Sequence, residues 1–227
     1  MCGRNSLFAP QADLEERFDA TARHPVRPRY NIAPGEDLAV VRNDDPGVID
    51  RLEWGLLPGW ADDPADAPRP INARAETVAE KAPFRDAFEE RRCLVLSSGF
   101  YEWQERTGAA KQPYRICLED DELFAFAGLW EHWEGDGSSL ETVTILTTDA
   151  SERMAPIHDR MPVMLDPDEE ATWLAGDEPR SVLDPYDGDD LRTYPVSQTV
   201  NNPENDSPSV IEPVDVGEQT GLDEFAG

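Results

Sequence analysis

Apolar positions recur along this chain with two different periods. Within residues 10–20, Leu14 and Phe18 stand four apart, which predicts a short amphipathic helix with Pro10 in its first turn. Leu38–Arg42 and Val48–Trp54 read as strands joined by an Asn-Asp-Asp-Pro-Gly turn. Residues 55–70 are rich in Pro, Gly and Asp and predict a loop. Thr77–Lys81 predicts a short helix, and Pro83 opens another that presents Phe84 and Phe88 on one face. Cys93–Ser97 predicts a buried strand. Tyr114–Leu118 and Leu123–Ala127 predict a hairpin across an acidic turn. Thr142–Thr147 predicts a further strand and Pro167–Ala175 a helix. Strands predominate and no regular βαβ rhythm appears. The expected class is α+β: a single domain with a curved, barrel-like, mainly antiparallel β-sheet flanked by short helices. That domain is expected to span residues 1–215, with 216–227 a flexible tail.

Composition narrows the setting. The 227 residues suffice for one sizeable core. No stretch approaches the roughly 18 apolar residues of a membrane span, and no signal peptide is visible. The three cysteines, Cys2, Cys93 and Cys117, are too few and odd in number for a disulfide framework, which points to a reducing cytoplasm. Cys93 and Cys117 lie in apolar runs and are expected to be buried. No His/Cys spacing suggests a metal, and no cofactor is expected. The net charge is −28, with Lys81 and Lys111 the sole lysines, a pattern suited to a very salty cytoplasm. At about 1 M salt the Debye length is roughly 3 Å, so this charge does not exclude a nucleic-acid partner. Any phosphate contact must then be made by a few local arginines.

Four segments carry polar groups that a core does not need: Cys2-Gly3-Arg4, Ile71 to Glu76, Ser98 to Trp103, and Ile157 to Pro162. Cys2 follows the initiator methionine directly. Removal of Met1 would leave a free amine and a thiol on neighbouring carbons, with ordinary pKa values of about 8 and about 8.5. Such an aminothiol condenses with an aldehyde through an imine to a five-membered thiazolidine. Each residue also has a plainer explanation. Cys2 could be a chance residue at a frayed terminus. Asn72 could cap the helix after it. Glu102 could be a surface carboxylate, His158 could pair with Asp159 or Asp149, and Arg160 could belong to a surface ion pair.

Together the four segments resemble the SOS-response-associated peptidase family, which shields abasic sites in single-stranded DNA. Further matches are Arg29 to Gly35, Trp54 to Ala61, Phe124 to Trp130, and Val196 to Pro213 with its Val200-Asn201-Asn202 and Asn205-Asp206 elements. The resemblance covers roughly residues 2–214, in order, and several spaced motifs are more specific than one. It implies that Cys2 is the covalent nucleophile, exposed by autoproteolysis or an aminopeptidase, and that Asn72 positions it and polarises the reacting oxygen. It implies that Glu102 serves as acid and base in sugar-ring opening and Met1 removal, and that His158 assists imine formation. Arg4, Arg74 and Arg160 would bind phosphates, Pro34 and Trp60 would stack on bases, and Thr147 would add a polar contact. The implied partner is single-stranded DNA containing abasic sites, and the implied protein is a cytoplasmic monomer, nucleoid-associated when DNA is damaged.

The main rival is an amidotransferase of the amino-terminal-nucleophile type, which also begins Met-Cys-Gly. This chain lacks an Asn-Gly-Asp-type motif to hold glutamine and a synthase domain to receive ammonia. A general cysteine protease is a second rival and a noncatalytic single-strand-binding module a third. The module would not require Cys2, Glu102 and His158 together.

Overall fold

A computed structural model of the chain describes residues 2–135, 137–176 and 178–216. In chain order the strands are β1 (Asn5–Leu7), β2 (Thr21–Ala22), β3 (Arg29–Ile32), β4 (Asp37–Arg42), β5 (Asp45–Trp54), β6 (Asn72–Arg74) and β7 (Arg92–Ser97). They continue as β8 (Gly99–Gln104), β9 (Gln112–Leu118), β10 (Phe124–Gly135), β11 (Ser138–Asp149), β12 (Arg160–Pro162), β13 (Met164–Leu165) and β14 (Leu191–Pro195). Helices α1 (Gln11–Phe18), α2 (Arg85–Glu90) and α3 (Pro167–Ala175) lie between them.

β4, β5, β7, β10 and β11 form a closed barrel. Neighbours are antiparallel except at the seam, where β5 and β11 pair in parallel through Thr142 with Glu53 and Val143 with Trp54. Closure removes the two free edges that a five-stranded sheet would expose. A second sheet in the order β14-β9-β8-β1-β3 stands beside the barrel. Apolar residues from both, among them Trp54, Val95, Phe100 and Phe126, form the main core. No helix among the described residues is long and apolar enough to cross a membrane.

The expected α+β class and barrel-like sheet agree with this architecture. Leu14 and Phe18 are the buried pair of α1, and α3 begins with a reciprocal capping box between Asp166 and Glu169. Three local expectations are corrected. Thr77–Lys81 is part of an irregular turn and not a helix, since Val78 alone of these residues is buried and no helical apolar stripe exists. The next helix starts at Arg85 and not Pro83. Tyr114–Leu118 and Leu123–Ala127 do not form a hairpin: β9 pairs with β8 and β14, whereas β10 joins the barrel. The proposed tail of 216–227 lies, apart from residue 216, outside the described residues.

The chain crosses from barrel to second sheet at Ser98-Gly99, between β7 and β8. Gly99 has φ +150°, and a Cβ there would sit 2.8 Å from an Arg115 guanidinium nitrogen and 2.9 Å from the Ile116 carbonyl oxygen. Gly99→Ala therefore loses roughly 1–3 kcal/mol, a fall of about 2–12 °C in melting temperature measurable by calorimetry. Three residues beyond this corner, β8 presents Glu102.

Candidate active site

The amino-terminal segment is fixed by buried polar contacts. Asn5 Nδ2 donates to the Leu96 carbonyl, and Ser97 Oγ donates to Asn5 Oδ1 at 2.7 Å. Ser6 Oγ donates to the Gly99 carbonyl at 2.7 Å. Asn5 and Ser6 are themselves buried. β1 therefore runs antiparallel to β8, with Asn5 opposite Phe100 and the Tyr101 N–H donating to the Arg4 carbonyl. The same direction brings Cys2 beside Glu102.

Cys2 is fully buried, and its thiol points to the Arg4 carbonyl oxygen at 3.7 Å. Burial, reinforced by the negative charge of Glu102, pushes the thiol well above its ordinary pKa. Glu102 is 2 % exposed. Burial also raises its carboxyl above the usual carboxylate range, while nearby His158 pulls in the opposite direction. Cys2, Glu102 and His158 are thus one electrostatically coupled group. A carboxylic acid with a raised pKa is the form needed to donate a proton near neutrality.

His158 lies in the segment between β11 and β12, joined to β8 by a hydrogen bond from Gln104 Nε2 to the Pro156 carbonyl. The Arg160 backbone N–H donates to His158 Nδ1 at 3.0 Å, which leaves Nε2 to carry the proton of the neutral ring. Asp159 Oδ1 also lies 3.0 Å from Nδ1, an approach that becomes an ion pair only when the ring is protonated.

β6 places Asn72 in parallel pairing with Ile145 of β11, at one end of the barrel. Because the following segment is not helical, Asn72 does not cap a helix. Its side-chain Oδ1 and Nδ2 are both buried without a hydrogen-bond partner among the described residues. Each such group costs about 1–3 kcal/mol, so this amide is suited to a ligand and not to the core.

The other expected contacts divide into available and occupied groups. Arg74 is exposed and forms no ion pair among the described residues. The Arg4 guanidinium donates to the Gly3 and Asn201 carbonyls and lies over the Trp103 ring, 6.0 Å from its centroid. Pro34 is exposed in the turn after β3. Trp60 is 62 % exposed on a loop anchored beneath it by Leu57, Ala61 and Trp133. Trp54 ties these pieces to one end of the barrel: its backbone bonds the Gly35-Glu36 turn, and its indole N–H donates to the Ile71 carbonyl next to Asn72. Arg160 is different. Its two terminal nitrogens bond Glu76, Asp149 and the Thr147 carbonyl, and the side chain is 10 % exposed. It is engaged in an ion cluster whose Glu76 and Asp149 carboxylates face solvent, and Thr147 is buried beside it, its hydroxyl 3.5 Å from the Ala73 carbonyl.

A buried Cys2, followed by half-buried Gly3 and Arg4, stands beside a desolvated Glu102 on the sheet that flanks a closed barrel. The chain belongs to the SOS response associated peptidase (SRAP) family, whose family model matches residues 1–203. It is 43% identical over 222 residues to the abasic site processing protein YoqW of Bacillus subtilis, covering 93% of this chain and 99% of that one. It is 32% identical to the abasic site processing protein HMCES of Xenopus tropicalis, covering 86% of this chain and 69% of that one. A solved structure from Bacteroides thetaiotaomicron superposes with a TM-score of 0.86 at 28% identity, covering 94% of this chain and all of the other.

Proposed function

We propose that this protein acts on abasic sites in single-stranded DNA and holds them covalently through Cys2 once Met1 has been removed. The coupled group of Cys2, Glu102 and His158 carries this reading, supported by relatives named as abasic site processing proteins. The abasic sugar is mostly a closed hemiacetal. Protonated Glu102 donates to the ring oxygen as the C1′–O4′ bond breaks, and the C1′ hydroxyl gives its proton to water, leaving the C1′ aldehyde. The thiol is held in its neutral form, so the α-amine attacks first; water leaves and an imine forms, with His158 relaying protons. The thiol then adds across the C=N bond, its proton passing to nitrogen, and the thiazolidine closes with net loss of one water. Asn72 offers its amide to the reacting oxygen. Removal of Met1 is the family's peptidase reaction directed at the chain's own terminus, with Glu102 as the acid and base.

Exposed Trp60 and Pro34 supply the stacking surface that a flexible single strand requires. Trp60→Ala is expected to weaken binding to abasic single strands by roughly 1–3 kcal/mol, or about 5- to 150-fold, without lowering the melting temperature. Fluorescence anisotropy and a thermal melt measure the two quantities.

The deciding experiment incubates the mature protein with single-stranded DNA carrying one abasic site, followed by a denaturing gel. A covalent band supports the proposal. Glutamine hydrolysis without a band would instead mark an amidotransferase, and salt-sensitive binding without a band a passive module.

A further inference from the structure

Beside the site runs a strap, residues 200–206, that the proposed chemistry does not use. Asn31 of β3 is fully buried, and its Nδ2 donates to the carbonyls of Val200, Asn202 and Asn205, each at 3.1 Å. Asp206 answers from the strap: its Oδ1 accepts the backbone N–H groups of Tyr30 and Asn31, and its Oδ2 accepts from Arg29 Nε. Val200 packs with Tyr101 and Val196 beneath, with Tyr30 and Trp103 against them. The strap is therefore bolted to β3, the neighbour of β1.

What the strap presents is Asn201. Its carbonyl accepts from Arg4 at 3.2 Å, and its side-chain oxygen accepts from the Trp103 indole N–H at 2.7 Å. Trp103 lies under the same guanidinium. Arg4 is thereby gripped by a carbonyl and a ring, while its Nε is buried with no partner. It forms no ion pair among the described residues. Burial disfavours its charge, and the Glu36 carboxylate pulls the other way.

We infer that Asn31 and Asp206 are positioning residues: through the strap and Asn201 they aim Arg4 at a phosphate of the captured strand. This inference rests on the reading of the protein as a DNA-capturing one. Free of the strap, the long Arg4 side chain would have to be ordered at the moment of binding.

The test measures adduct formation on abasic single-stranded DNA against DNA concentration and against KCl for the mature wild type, Arg4→Ala, Asp206→Ala and the double variant. Asp206→Ala is expected to raise the half-saturating DNA concentration about tenfold, with the effect on that concentration and not on the plateau rate. It should flatten the slope of log affinity against log salt by about 0.7, as Arg4→Ala does. The double variant should be no weaker than Arg4→Ala alone. Asp206→Asn, which keeps an acceptor for the two backbone N–H groups, should recover part of the loss. Asn201→Ala on the exposed face frees Trp103 without touching the buried clamp and should show a smaller loss, again absent on an Arg4→Ala background. It carries the test where Asp206→Ala melts too low to assay. A wild-type salt slope in the strap variants, or losses that multiply with that of Arg4→Ala, would overturn the inference. Absence of adduct in the wild type would instead sink the functional reading beneath it.

Discussion

Cys2→Ser in the mature protein abolishes the denaturation-resistant complex with abasic single-stranded DNA. The substitution is close to isosteric at a fully buried position, beside the Arg4 carbonyl that the thiol now faces. The fold is therefore retained and the loss is chemical: an alcohol is a poor nucleophile toward an imine without special activation. The high net charge of −28 sharpens this expectation. Each phosphate contact on a single strand weakens about eightfold between 0.15 and 3 M salt, by a slope of about −0.7 per contact. Noncovalent shielding is then weak at molar salt, whereas a closed thiazolidine does not depend on ionic strength. Adduct yield should persist at molar KCl, while Cys2→Ala loses nearly all DNA binding there. Tight salt-resistant binding by Cys2→Ala, in an electrophoretic or anisotropy assay, contradicts this.

Glu102→Gln slows adduct formation about 10²–10⁴-fold, the range of a lost general acid, and at the same time stabilises the protein near neutral pH. The carboxyl is buried, and its folded pKa lies above the unfolded value. The native state therefore holds its proton more tightly than the unfolded chain. Stability is full below the ordinary carboxylate range and falls as pH rises from there through the raised value. Glutamine removes that loss. The variant should melt higher than the wild type at neutral pH by about 2–4 °C for each kcal/mol recovered, with the gap closing at acid pH. The wild-type rate should be bell-shaped in pH. Its acid limb reports the α-amine losing its proton, and its alkaline limb reports Glu102 losing its own. Glu102→Gln should erase the alkaline limb. A variant that melts lower, or that keeps this limb, assigns the proton donor elsewhere.

The chemistry of the site was more legible in the sequence than the framework that holds it. Cys2, Glu102 and His158 stand in short motifs whose residue types are unnecessary to a core, and they meet as a coupled group. Helices α1 and α3 were visible in their apolar spacing and terminal signals, because these are local. The acidic turn from Glu119 to Glu122 reads as a hairpin loop, yet it joins two sheets. That choice is made by pairings of Phe124 with Ser97 and Tyr114 with Pro195, which no local pattern encodes. Arg160 illustrates the same limit. It reads as a phosphate ligand, and in the fold it is paired with Glu76, 84 positions away, and with Asp149. Asn5, Ser6, Asn31 and Asp206 do not stand out in the sequence as determinants of the site. The available signal was polar residues at buried strand positions and the Asn205-Asp206 element, whose partners lie well over a hundred residues earlier in the chain.

Intact-mass spectrometry of the complex formed between wild-type protein and an abasic oligonucleotide tests the covalent proposal most directly. The expected species is the chain without Met1 plus the oligonucleotide less one water, and proteolysis should leave the DNA remnant on the peptide beginning at Cys2. A remnant on any other residue, an adduct on a chain that retains Met1, or no mass beyond the separate components would contradict it.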